Sequence, residues 1–236
     1  MKILAKIRFY LGAFIISSVV ALIMIPLLFL LPSRSCQILH YLNALIIFLL
    51  GGKIEQIGER DPEAQMLLIN HQGIVDIIAM EARGCTGLRW VAKKELFEIP
   101  WFGQVLKRSN MISIDRQNKA GLIKLLKDVK ESVEKLERVV AIFPEGTRAK
   151  GQKLLPFKSG AELIANKLKL KVQPVVITGS KALLNEHDRT AHNATVKIIF
   201  LPAVSVDGTD KTWYKKISEQ MQEVIDKEYE SYQRER

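Results

Sequence analysis

The sequence predicts an α/β fold: a central, mostly parallel mixed sheet flanked by helices, preceded by an N-terminal membrane-embedded helical hairpin. Three observations predict it. Short apolar runs such as Met66–Ile69 and Val139–Phe143 end abruptly in polar, glycine-containing turns, as buried parallel strands do. Stretches with apolar residues at helical spacing and lysines and glutamates between them alternate with those runs, the order that builds a sheet covered by helices. Two apolar segments also occupy the first fifty residues. The 236 residues are therefore divided into a hydrophobic anchoring hairpin, 1–53, and one α/β domain, 54–236.

The first segment opens with a basic lead carrying Lys2, Lys6 and Arg8, then runs uncharged from Phe9 to Leu31, long enough to cross a bilayer. Its apolar core is longer than that of a secretory signal, and no small-x-small cleavage site follows, so a retained anchor is expected. The second segment, Ile38 to Leu50, is about 13 residues, short for a span. Pro26 and Pro32 interrupt the first helix, which favours a hairpin sunk in one leaflet over a tightly spanning pair. Either arrangement returns the larger domain to the side of the basic lead, expected to be cytoplasmic.

Beyond the hairpin, Met66–Ile69 reads as a strand, and Ile77–Met80 as the start of a helix. Between Val91 and Gly103, charge is mixed with large apolar residues, either a surface that meets lipid or an acyl chain or a partly buried helix end. Met111–Ile114 alternates as a short strand, and Leu122–Arg138 as an amphipathic helix. A strand follows over Val139–Phe143, a helix over Lys158–Leu170 and a strand over Val172–Thr178, where Pro174 points to a bulge or an edge. Thr195–Leu201 alternates as a later strand, and Lys211–Arg236 is a charged helix expected to pack through Trp213, Ile217, Met221 and Val224.

A net charge of +10 in so apolar a chain calls for an anionic partner, a membrane surface or a phosphorylated substrate. With no zinc-ligand spacing and no RNA-binding aromatic motif, no nucleic-acid partner is expected. Cys36 and Cys85 make no disulfide framework and suit a reducing compartment.

The chemistry centres on Asn70-His71-Gln72-Gly73-Ile74-Val75-Asp76. On one continuous helix, five residues at about 100° each would set His71 and Asp76 about 140° apart, too far to share a proton. With His71 on the turn and Asp76 in the first helical turn, the carboxylate is stabilised by the helix dipole and fixes the imidazole tautomer. The other ring nitrogen is then a general base. The alternative is a polar turn residue and a helix cap.

A second turn, Pro144-Glu145-Gly146-Thr147-Arg148, offers groups suited to phosphate: a glycine that lets backbone amides approach, a hydroxyl and a forked cation. Arg116, at the end of the strand before Asp115-Arg116, either clamps a phosphate or pairs with Asp115. No metal-ligand cluster is visible, and no metal is expected. The Gly-x-Ser-x-Gly turn of serine hydrolases is missing.

These residues resemble the glycerophospholipid acyltransferase family, and within it the bacterial 1-acyl-glycerol-3-phosphate acyltransferases. His71 and Asp76 stand in its His-x4-Asp motif, Ile114-Asp115-Arg116 in its second motif, Phe143–Arg148 in its third and Val172-Gln173-Pro174-Val175 in its fourth. Ala92–Leu96 and Leu155–Gly160 resemble linking segments of the family. Asn110 stands where the second motif often has glycine, which asparagine's tolerance of the left-handed conformation permits, and Ser113 stands where an apolar residue is common.

The resemblance implies transfer of a fatty acyl group from acyl carrier protein or coenzyme A to the 2-hydroxyl of lysophosphatidic acid, giving phosphatidic acid for phospholipid synthesis. No cofactor is implied beyond that thioester co-substrate. His71 is the implied base and Asp76 its partner. Arg116, Gly146, Thr147 and Arg148 are assigned to the acceptor's phosphate, with Lys93 in support; Glu145 is expected to orient an arginine or to accept a glycerol hydroxyl. Backbone amides near Gly73 or Gly146 are the candidate oxyanion donors. The expected location is the inner (cytoplasmic) membrane, with the catalytic domain on its cytoplasmic face. Another glycerophospholipid acceptor, or phospholipid binding without catalysis, is the alternative.

Overall fold

The computed structural model describes residues 2–234 apart from 86, 117, 118 and 152. A single helical rod runs from Lys2 to Leu30, 29 residues, long and apolar enough to cross a bilayer. It consists of α1 (Lys2–Ser18), a π-helical segment (Val19–Met24) and α2 (Ile25–Leu30). Pro26 does not end the rod. It sits in the first turn of α2, where a missing N–H costs least, and the wider turns just before it absorb the mismatch. A 3-10 turn at Pro32–Arg34 then reverses the chain into α3 (Ser35–Leu49). Ile3, Leu4, Phe14, Leu22, Leu30 and Phe48 stay exposed on this hairpin.

The α/β body follows, with β1 (Gly52–Ile57), β2 (Met66–Ile69), α4 (Ile74–Ala82), β3 (Arg89–Lys93), α5 (Lys94–Glu98), α6 (Phe102–Arg108), β4 (Ile112–Ile114), α7 (Lys119–Glu134) and β5 (Val140–Ile142). Next come α8 (Ser159–Leu168), β6 (Lys171–Thr178), α9 (Ser180–Leu183), the small hairpin β7 (Leu184–Asn185) and β8 (Thr190–Ala191), β9 (Ala194–Phe200), β10 (Val204–Ser205) and α10 (Trp213–Arg234). The main sheet has the order β1-β9-β6-β2-β5-β3-β4, with β10 also on β6. Among the described residues, five neighbouring pairs of this sheet are parallel, and only β6 with β9 and with β10 are antiparallel, so the sheet is the mostly parallel mixed one that the apolar runs predict.

Two apolar layers hold the sheet. On one face, Leu67, Ile69, Ala141 and Val175 pack with α4 and with Ile46 and Ile47 of α3, so the hairpin is part of the core. On the other, Met66, Leu68, Val140 and Val172 meet α7, α8 and α10, the last through Trp213, Ile217, Met221 and the half-buried Val224 as expected.

Two expectations are corrected. Pro174 is on a central strand, opposite Leu68 of β2. It is tolerated because β10 pairs with β6 only at 171–172 and β9 only at 175–178, so the proline falls in the break between them, where Leu201 N–H reaches its carbonyl at 3.0 Å. The cysteines are joined: packing of α3 against α4 brings Cys36 and the loop residue Cys85 into a disulfide with a Cα–Cα distance of 5.2 Å. Their separation of 49 residues gave no local sign of it.

Candidate active site

Both functional turns leave the carboxyl edge of the sheet from adjacent strands, since β2 and β5 pair in register with Leu68 opposite Ile142. Asn70 fixes the first. Its side chain is buried and bridges to β6, donating to Ile177 O at 2.9 Å and accepting Ile177 N–H at 2.6 Å. His71 therefore follows the strand directly and stands on the turn, while Asp76 is the third residue of α4.

That placement produces the pair. His71 Nδ1 lies 2.9 Å from Asp76 Oδ2, and the same oxygen accepts Gln72 N–H at 2.6 Å and Gly73 N–H at 2.8 Å. The Asp76 side chain is fully buried and that of His71 is 12% exposed. Oδ2, which accepts both backbone N–H groups, also accepts Nδ1–H of the ring, which selects the tautomer protonated on Nδ1 and leaves Nε2 as the base. Phe143, from the third motif, stacks on the imidazole at 3.8 Å between ring centres, and Trp90 stacks behind Phe143 at 5.2 Å.

Glu145 is buried beneath this turn. Its Oε1 accepts His71 N–H at 2.8 Å and its Oε2 accepts Leu155 N–H at 2.7 Å. Burial raises its pKa, an effect its two backbone hydrogen bonds and His71 oppose. Both oxygens are engaged by backbone, so Glu145 joins the two turns; the expectation that it orients an arginine or takes a glycerol hydroxyl is corrected. Gly73 N–H is bonded to Asp76, and Gly146 N–H to Phe143 O at 3.0 Å.

The second turn is open. Gly146 has φ +72°, the left-handed region, and turns the chain so that Thr147 and Arg148 are exposed. Arg116 comes from the segment after β4 and donates to Gly146 O, so the structure brings Arg116 to the turn on which Gly146, Thr147 and Arg148 follow one another. Lys93 ends β3 opposite Ile114 and pairs with Glu95 at 3.2 Å, half-exposed. Asn110, which precedes β4, has φ +55°, the left-handed conformation expected of it.

Two participants escape sequence reasoning. Lys181, on α9, donates to Ala149 O and lies 3.4 Å from Gly151 O, which fixes the loop after Arg148; burial lowers its pKa, while Asp76, Asp188 and Glu145 oppose the shift. Glu186, on the β7–β8 hairpin, pairs with Arg148. Neither lies within a motif, and only the fold brings them near. Gln72 also borders a cleft of about 850 Å³ with Lys53, Thr178, Lys181 and Lys197. Among the described residues, no group of three His, Cys, Asp or Glu side chains could hold a metal.

The chain is similar to known proteins. The family model described as Acyltransferase matches residues 53–178. A Helicobacter pylori protein named 1-acyl-sn-glycerol-3-phosphate acyltransferase is 42% identical over 182 residues, 77% of this chain and 76% of its own length. The Escherichia coli protein of the same name is 29% identical over 75% of this chain and 73% of its own length. That of Cocos nucifera is 31% identical over 71% of this chain but only 55% of its own length. The crystal structure of the Thermotoga maritima 1-acyl-sn-glycerophosphate acyltransferase, PlsC, superposes with a TM-score of 0.76 over 96% of this chain and 97% of that one, at 22% identity, a likeness of fold.

Proposed function

The chain belongs to the acyltransferase family, and on that premise we propose that it moves a fatty acyl group from an acyl thioester to the sn-2 hydroxyl of 1-acyl-glycerol-3-phosphate, making phosphatidic acid. The observation that carries this reading is the His71–Asp76 pair, poised one strand away from an open turn with two arginines.

A thioester is already activated, so the acceptor alcohol attacks it directly once a base removes its proton. His71 Nε2 takes that proton as the hydroxyl oxygen bonds to the acyl carbon, and the resulting imidazolium is stabilised by Asp76. When the tetrahedral intermediate collapses, the carbon–sulfur bond breaks and the imidazolium protonates the departing thiolate. His71 is thus returned neutral, and no acyl-enzyme is needed.

Arg116, Thr147, Arg148 and the Gly146 turn bind the acceptor's phosphate, and Lys93 adds charge at the margin. Glu145 supports them from beneath. Acyl carrier protein or coenzyme A delivers the acyl group, and no other cofactor is required. The apolar hairpin, residues 1–53, anchors the α/β domain, 54–236, at the cytoplasmic face of the inner membrane, where the acceptor in the bilayer and the soluble carrier both reach it.

The test is acyl transfer by bilayer-reconstituted protein, with lysophosphatidic acid, other lysophospholipids, acyl carrier protein thioesters and coenzyme A thioesters compared side by side. Phosphatidic acid from the parent and none from a folded His71→Ala variant is the expected result. Lipid binding without transfer under every combination would overturn it.

A further inference from the structure

Glu186 lies outside every recognised motif, yet it touches both functional turns. Its Oε1 accepts Ile74 N–H, the first amide of α4, at 2.7 Å, and its Oε2 pairs with Arg148. It passes directly over the turn that carries His71: a Cβ placed on Gly73 would lie 3.4 Å from Oε1. The loop that presents it is shaped locally, because Asn185 Oδ1 accepts His187 N–H at 3.0 Å and Asp188 N–H at 3.1 Å, and Asn185 Nδ2 donates to Asp188 at 3.0 Å. The β7–β8 hairpin is in turn held against α1, with Leu184 and Ala191 in the same apolar cluster as Phe9, Ile15 and Ile16.

We infer that Glu186 is a positioning residue for the acceptor: it holds the Arg148 guanidinium at a fixed spacing from His71, so that a phosphate seated on Arg148 carries its neighbouring hydroxyl to the base. The inference rests on the reading of Arg148 as a phosphate ligand. An arginine side chain is 41% exposed here and would otherwise sample many rotamers. One edge of the planar fork on Glu186 still leaves N–H groups for a phosphate, and an arginine already ordered loses less freedom when the ligand arrives. The carboxylate also completes the first turn of α4, where Ile74 N–H would have no helical partner. Glutamate suits both tasks because its two oxygens serve two donors at once.

The experiment measures kcat and KM for lysophosphatidic acid, and KM for the acyl donor, in the parent, Glu186→Ala, Glu186→Gln, Arg148→Ala and the Glu186→Ala/Arg148→Ala double variant, with thermal unfolding followed in each. Glu186→Ala is expected to raise the acceptor KM about 5- to 10-fold, the scale of one lost orienting contact, with kcat within about 3-fold and the donor KM unchanged. Glu186→Gln keeps an oxygen for Ile74 and falls between parent and alanine. In the double variant, Glu186→Ala adds nothing to the acceptor KM of Arg148→Ala, because its effect on the acceptor runs through that arginine, while the lost bond to Ile74 N–H is read in thermal unfolding.

An unchanged acceptor KM in Glu186→Ala overturns the inference, as do additive effects or an equal rise in both KM values. A fall in acceptor KM also overturns it, marking Glu186 as an anion that competes with the phosphate. If Arg148→Ala itself leaves the acceptor KM unchanged, the phosphate assignment fails and the inference with it; if Arg148→Ala raises the KM and Glu186→Ala does not, the inference alone fails.

Discussion

The two turns at the sheet's edge leave neighbouring strands and are built on opposite principles. The 71–76 turn is closed: Asp76 is buried, His71 is nearly so, and backbone amides bind side-chain carboxylates. The 144–148 turn ends in exposed side chains, Thr147 and Arg148, with Arg116 reaching in from the segment after β4. The difference follows from what each must do. Proton transfer tolerates little misplacement, so its groups are sealed by packing, whereas a charged headgroup arrives from outside and its cations must stay open to receive it. Interior packing serves the first and solvent-exposed charge the second.

Breaking the closed turn should have the largest effect. His71→Ala removes the base while leaving both arginines, and kcat should fall about 100- to 10,000-fold with acceptor binding retained, read from turnover and lipid binding in parallel. The sealed region also contains Glu81, near the end of α4, which accepts Trp90 Nε1–H at 2.6 Å and whose pKa burial pushes up to about 7. A raised folded-state pKa stabilises the protein fully below about 4.5, and that contribution is lost as pH climbs toward 7. Unfolding of the parent beside Glu81→Gln from pH 4 to 8 should show the parent losing up to roughly 3 kcal/mol relative to the variant over that window. A flat difference would show that the region carries no such charge penalty.

The open turn should answer more gently. Arg148→Ala should raise the acceptor KM about 10- to 30-fold with kcat little changed, since it removes one charge-assisted contact that ground state and transition state share. A loss of kcat equal to that of His71→Ala would erase the distinction between the turns. The smallest effect belongs to Gly146→Ala, where φ is +72° and the new methyl carbon would lie 3.3 Å from the Arg116 guanidinium. It should cost about 1 kcal/mol of stability, measured by thermal unfolding, with a modest rise in acceptor KM.

Local pattern made much of this visible in the sequence. The runs Met66–Ile69 and Val139–Phe143 announce strands because a buried parallel strand needs apolar residues on both faces, and the turns after them carry His71, Asp76 and the third motif. Contacts made across the fold left no such trace. Glu186 and Arg148 are 38 residues apart, and nothing near either names the other. Glu145 reads as part of a phosphate loop, yet its carboxylate turns inward to backbone 74 residues away. Pro174 reads as a bulge or an edge residue because sequence shows the missing donor but not the gap between β9 and β10 that forgives it.

Amides 71, 72, 73 and 74 are four in succession, and each donates to a carboxylate: Glu145 for the first, Asp76 for the next two, Glu186 for the last. A concave run of N–H groups is a shape by which proteins capture anions from solution. Here the guests are the chain's own side chains, recruited from three separate places in the sequence. The histidine is therefore mounted on a receptor that is permanently filled. Deuterium should enter these four amides slowly although none belongs to a strand ladder or a helix interior.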